Sequence, residues 1–226
     1  MGQNYPLPPQ MLDKWARETP DKVYLRQPVN RVYREFTWSQ VRDQVLRMAN
    51  ALKKLGLKPG DKVAIMSKNC AEWFIADFAI TAAGMISAPI YFTASSKTIR
   101  FIIEHSEAKA VFIGKLDDTK PTIEGIPEST IKIAMPYDTA PCDHSWDDLL
   151  KNNDPVDQSA QPELDDTFSL SYTSGSTGNP KAAVLTFRNV AYGAITPANE
   201  LQVTQSDRLI SYLPFIGRTL SHLTEL

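Results

Sequence analysis

The sequence predicts an α/β fold, with mostly parallel sheets flanked by helices. Three observations predict it. Short apolar runs alternate with segments of helical period, and turn residues fall between them. The most apolar stretch, Trp73 to Phe92, is interrupted by Asp77, Gly84 and Pro89. It reads as a buried helix followed by a buried strand rather than a membrane span. Finally, 42% of the 226 residues are hydrophobic, enough for a folded core.

Each element has a local reason. Thr37 with Gln40 forms a capping box, and Val41, Val45, Met48, Ala49, Leu52 and Leu55 follow with helical spacing. Gly56 suits the position after that helix. Pro59-Gly60-Asp61 reads as a turn, and Val63 to Met66 as a buried strand. Glu72 to Ala83 reads as a second helix closed by Gly84, with Met85 to Ile90 as the next strand. Ser96 is the expected cap of a third helix over Thr98 to His105. Ala110 to Ile113 and Ile131 to Ala134 are further strand candidates. Ser145 with Asp148 caps a short helix ending near Leu150.

The stretch from about 138 to 166 is strongly acidic, with Asp143, Asp147, Asp148, Asp154, Asp157, Glu163, Asp165 and Asp166. Pro155 and Pro162 break it and no ligand spacing recurs, so a solvated connection is expected rather than a metal site. Beyond it, Phe168 to Tyr172 and Ala183 to Leu185 read as strands. Asn189 to Asn199 reads as a helix interrupted by Gly193 and Pro197, and Leu209 to Leu213 as a last strand.

The chemistry concentrates between the two strands, in Tyr172-Thr173-Ser174-Gly175-Ser176-Thr177-Gly178-Asn179-Pro180-Lys181. Gly175 and Gly178 let backbone N–H groups turn towards an anion. Thr173, Ser174, Ser176 and Thr177 add hydroxyl donors. Lys181 adds a point charge suited to a terminal phosphate. The run is not G-x-x-x-x-G-K-[ST], because Asn179 and Pro180 separate Gly178 from the lysine and Ala182 follows it. Nor is it G-x-G-x-x-G. A Ser/Gly-rich surface loop with a solvated lysine is the plain alternative, although a linker has no need of that residue order.

Charge and cysteines narrow the class. A net charge of −2 and a pI near 5.9 offer no attraction to nucleic acid. Cys70 and Cys142 make no disulfide framework, and residues 1–10 carry no apolar signal core, so a cytoplasmic protein is expected. His105, His144 and His222 lack metal-ligand spacing, and each is expected to be an ordinary exposed histidine.

The order of residues in the 172–181 loop resembles the signature loop of the AMP-forming adenylating enzymes. Phe36-Thr37-Trp38, Gly60 to Ile65, Glu72-Trp73 through Tyr91, and Ser211 to Phe215 resemble that family's neighbouring blocks. Ile102 to Lys109 is similar to its long-chain fatty acyl-CoA synthetase branch. The resemblance implies a partial N-terminal AMP-binding domain over 1–226. It implies ATP, Mg²⁺ and coenzyme A, with a fatty acid as the carboxylate to be activated. Thr173, Ser174, Gly175, Ser176, Thr177, Gly178 and Lys181 would hold the ATP phosphates. A long-chain substrate implies peripheral contact with the inner face of a membrane.

Members of that family also carry Tyr-Gly-x-Thr-Glu and Thr-Gly-Asp segments and a C-terminal domain with a catalytic lysine. These do not occur before Leu226. Gly217 stands where a histidine is expected, and 216–226 matches nothing in the pattern, as after a frameshift or premature end. The expectation is an N-terminal portion inactive by itself. The alternatives are a non-catalytic interaction module with an unpaired sheet edge, and an adenylating enzyme for another carboxylate.

Overall fold

In the computed structural model, the described residues are 7–173 and 180–211. The chain begins with helix α1 (Pro8–Glu18) and a hairpin of β1 (Val23–Val29) and β2 (Val32–Thr37). Asn30 and Arg31 both take positive φ, as a two-residue hairpin turn with the right twist requires. Asn30-Arg31 lacks the glycine that signals such a turn, so the sequence does not announce it.

Helix α2 (Trp38–Lys54) starts at the predicted capping box, with the Gln40 N–H donating to Thr37 Oγ1 and the Thr37 N–H to Gln40 Oε1. Its predicted stripe, Val41 to Leu52, is buried. Gly56 follows at φ +94°, a conformation that costs glycine nothing. Next come β3 (Lys62–Met66), α3 (Ala71–Ala82), β4 (Ile86–Ile90), α4 (Ser96–Ser106) and β5 (Ala108–Ile113). They are followed by α5 (Lys120–Gly125), β6 (Ile131–Ala134), β7 (His144–Ser145) and α6 (Trp146–Lys151). The hairpin of β8 (Thr167–Thr173) and β9 (Lys181–Thr186) leads into α7 (Phe187–Glu200). The acidic stretch 138–166 thus carries β7 and α6, and the buried Trp146 anchors it to the core.

Three expectations are corrected. Ser95, not Ser96, caps α4, its Oγ accepting from the Thr98 N–H at 3.3 Å. Helix α7 runs unbroken through Gly193 and Pro197. A second capping box, Thr186 with Asn189, fixes its start, and Phe187, Val190, Ala191, Ala194 and Ala198 bury one stripe. That burial outweighs the hydrogen bond lost at the proline. Residues 209–211 form no strand, and Ile210 lies 87% exposed.

Among the described residues the main sheet has the order β7-β6-β5-β3-β4-β8-β9. Every pairing is parallel except β8 with β9. Side chains alternate between two faces. Val63, Ile65, Ala110 and Phe112 pack with α1, α2 and α3. Ala64, Met66, Val111 and Ile113 pack with α4 residues such as Ile99 and Ile102. The carboxyl ends of β3, β4, β5 and β8 share one edge of the sheet, which is where an open parallel sheet binds ligands.

Connections leave β3 and β5 in opposite directions, so the crevice between their carboxyl ends is the usual ligand position. Here the protein fills it. Ser67 Oγ accepts from the Lys115 N–H, and the Gly114 N–H donates to the Met66 carbonyl. A Cβ on Gly114 would lie 2.4 Å from Ser67 Oγ and 2.6 Å from Met135 Sδ. Gly114→Ala is therefore expected to destabilise the fold by about 1–3 kcal/mol in urea unfolding. A change below about 0.5 kcal/mol would show that this crevice has room to relax.

Candidate active site

Beyond the filled β3/β5 crevice, the same carboxyl edge carries the end of the β8–β9 hairpin. The antiparallel register sets Thr173 opposite Lys181 and Tyr172 opposite Ala182. Directly opposed residues point to the same face. Thr173 and Lys181 therefore share one side of the sheet, both exposed, and close the base of the loop between them. Tyr172 and Ala182 face the other side and join the core under α4.

The parallel pairing Ser87↔Ser169 sets Tyr91 level with Thr173, and Tyr91 is 43% exposed. Of the sequence-predicted site residues, the structure places Thr173 and Lys181 together. Ser174, Gly175, Ser176, Thr177 and Gly178 lie outside the described residues, as do Gly217 and the 216–226 tail. Among the described residues, no carboxylate forms an ion pair with Lys181. An ammonium at the mouth of a hydroxyl-bearing hairpin suits a multiply charged anion.

The strand below the mouth is held from α4. The Tyr172 hydroxyl lies 2.9 Å from His105 Nδ1, and the His105 ring stacks on Phe101 at 5.3 Å. His105 is exposed, as the sequence indicates, yet it also has a structural partner. His144 lies on the edge strand β7, and His222 is outside the described residues. Among the described residues no group of three or more His, Cys, Asp or Glu side chains is arranged to hold a metal ion. No described helix is long and apolar enough to cross a membrane.

A second polar system lies at the start of α3, and sequence reasoning missed it. Glu72 reads as an ordinary first-turn acid, but it is 1% exposed. Arg34 Nη2 donates to Glu72 Oε1 at 2.6 Å, and the Tyr137 hydroxyl donates to Glu72 Oε2 at 2.5 Å. Gln27 Nε2 donates to the Tyr137 oxygen at 2.8 Å, while Gln27 Oε1 accepts from the Ala71 N–H at 2.7 Å. Burial works against the Arg34 charge, but the Glu72 carboxylate outweighs it and the net shift is upward. Burial, then Cys70 and Glu72, push the Tyr137 hydroxyl well above its usual range. No sequence pattern links these residues, which meet only when the hairpin folds over α3. A groove of about 660 Å³ opens beside them, lined by Arg34, Phe36, Arg47, Trp146, Leu150 and Lys151 among others.

The fold agrees with the comparisons to known proteins. The profile of the AMP-binding enzyme family matches residues 12–219. The chain belongs to that family. It is 30% identical over 222 residues to the long-chain-fatty-acid–CoA ligase FadD15 of Mycobacterium bovis, covering 90% of this chain and 35% of that protein. It is 31% identical over 203 residues to fatty acyl-CoA synthetase A of Dictyostelium discoideum, covering 80% and 29% respectively. It superimposes on o-succinylbenzoate CoA synthetase of Bacillus subtilis, solved with its acyl-adenylate intermediate. The TM-score there is 0.72 at 25% identity, covering 91% of this chain and 39% of that one. The chain thus spans about a third of the length of the curated relatives it matches.

The thiols yield a test of this arrangement. Burial, and then the Glu72 carboxylate, push the Cys70 thiol up to about 11 from 9.0. Burial, and then Asp143, push Cys142 up to about 11 from the same value. A raised thiol pKa keeps the unreactive protonated form until the pH approaches 11. At pH 8 the native protein should react with a thiol-specific disulfide reagent about a hundredfold more slowly than the unfolded chain. Equal rates in the two states would contradict the burial of these thiols.

Proposed function

We propose that this chain carries the phosphate-binding part of an ATP-dependent, AMP-forming acyl-CoA synthetase acting on a fatty acid. The observation that carries the reading is the hairpin mouth, where Thr173 and Lys181 stand opposite each other with the glycine- and hydroxyl-rich loop between them. The nature of the carboxylate is supported by its relatives, which include a long-chain-fatty-acid–CoA ligase and a fatty acyl-CoA synthetase.

In such a reaction the substrate carboxylate attacks the α-phosphorus of ATP, forming an acyl-adenylate and releasing pyrophosphate. The coenzyme A thiol then attacks the acyl carbon and AMP leaves. The first nucleophile belongs to the substrate, so the protein needs no activated serine or cysteine. This agrees with the raised pKa values of both cysteines. What it must supply is position and compensation of the charge that develops on the phosphates.

Lys181 would neutralise the departing pyrophosphate, and the Thr173 hydroxyl would donate to a phosphate oxygen. Ser174, Ser176 and Thr177 would add hydroxyl donors, and Gly175 and Gly178 backbone N–H groups. Mg²⁺ would accompany the ATP phosphates into the site. Residues for the adenine, the ribose, the acyl chain and coenzyme A would come from the part of the enzyme beyond the region shared here.

Calorimetric titration with inorganic pyrophosphate checks the central claim. Replacing Lys181 with Met removes one charge-assisted contact, worth about 1.5–3 kcal/mol, so affinity should fall about tenfold or more. The melting temperature should stay put, because Lys181 is exposed and makes no ion pair among the described residues. Unchanged affinity would remove Lys181 from phosphate binding.

A further inference from the structure

We propose that His105 is a positioning residue for the phosphate hairpin, acting through the Tyr172 hydroxyl. The inference rests on the phosphate reading of that hairpin and adds a residue that no feature of the loop itself indicates.

Tyr172 is the last buried residue before the hairpin mouth. Its residue exposure is 3%, whereas Thr173 next to it is exposed. In the ladder it faces Ala182, the neighbour of Lys181. Any displacement of Tyr172 is therefore transmitted to Thr173 along its own strand and to Lys181 across the pair. The hydroxyl of that tyrosine lies 2.9 Å from Nδ1 of His105, sixty-seven positions away in the chain. The His105 ring meets the Tyr172 ring edge-on, at 5.8 Å and 84°. It also stacks on Phe101 at 5.3 Å and 25°. Both contacts fix the imidazole plane, so Nδ1 is presented in one direction.

The backbone around His105 is equally constrained. Ser106 Oγ donates to the Ile102 carbonyl at 2.7 Å, and Glu107 takes φ +55°, which stops α4 and turns the chain into β5. Burial pushes the Tyr172 hydroxyl above its usual pKa, with the Ser106 side chain acting in the opposite direction. The geometry fits a Tyr172 hydroxyl that donates to Nδ1 of the imidazole tautomer carrying its proton on Nε2. The result is a strut from the rigid α4–β5 corner to the strand that opens the loop. An aromatic residue without an acceptor would fill the same surface but remove this partner of the Tyr172 hydroxyl.

The test uses the whole chain, with inorganic pyrophosphate as the probe. Affinity by calorimetry and melting temperature are measured for the parent and for the His105→Ala, His105→Gln, Tyr172→Phe and Lys181→Met variants. His105→Ala and Tyr172→Phe should each weaken pyrophosphate about fivefold, the equivalent of one lost neutral hydrogen bond. Glutamine offers an acceptor in place of Nδ1, so His105→Gln should recover most of the loss. A role in stability alone would lower the melting temperature of His105→Ala without changing affinity. As a direct readout, the ¹⁵N spectrum should show His105 as the Nε2–H tautomer, and its Nδ1 signal should move in Tyr172→Phe.

Parent-like affinity in both His105→Ala and Tyr172→Phe, while Lys181→Met is weakened, would overturn the positioning role and leave the phosphate reading standing. Failure of His105→Gln to recover affinity lost in His105→Ala would also overturn it. No pyrophosphate binding by the parent, or no loss in Lys181→Met, would overturn the phosphate reading and this inference with it.

Discussion

A helix buried on every side must be enclosed by other elements, and α3 is such a helix. Every residue from Ala71 to Ala82 is buried, including Glu72, Asp77 and Thr81. One side lies on the sheet, and α1 and α2 cover the other. The enclosure forces a carboxylate out of water at the first turn. A lone buried charge is costly, so Glu72 requires partners. The helix N-terminus favours its negative charge. Arg34 arrives from β2 and Tyr137 from the segment after β6 to complete its hydrogen bonding. The position of the N-terminal hairpin is in this way tied to the burial of α3.

The same enclosure settles which part of the sheet is open for chemistry. Parallel strands covered on both faces offer ligands only their carboxyl edge. Gly114 and Ser67 pack that edge shut between β3 and β5. Beyond β4 the same edge carries the β8–β9 hairpin. Turning antiparallel there has a geometric use. An antiparallel pair brings a residue before the loop directly opposite one after it, so one hydroxyl and one ammonium stand together at the base. A parallel crossover would have carried the following strand away with its lysine.

Two polar systems of different character result. Glu72, Arg34, Tyr137 and Gln27 bond to one another, and burial raises the pKa of Tyr137. Such a network adds rigidity when every member is satisfied. At the hairpin mouth, by contrast, Thr173 and Lys181 are exposed. An ammonium that makes no ion pair among the described residues, carried on a paired strand as its support, suits the capture of an anion. The contact between His105 and Tyr172 belongs to the support.

By itself the sequence determined the elements whose signals are local. The Thr37–Gln40 capping box, the glycines at 56 and 84, and the buried strands Val63–Met66 and Ile131–Ala134 all form where neighbouring residues dictate. The signature order around Lys181 was equally legible, since a loop is written in consecutive residues. Local signals misled where packing overruled them, as in α7, which passes through Pro197 because its apolar stripe is buried. Only the tertiary structure decided which distant residues meet. It brought Glu72 to Arg34 and Tyr137, set Thr173 opposite Lys181, and placed His105 against Tyr172. These contacts depend on strand order and register, and periodicity along a chain specifies which face a side chain occupies but not which strand lies beside it.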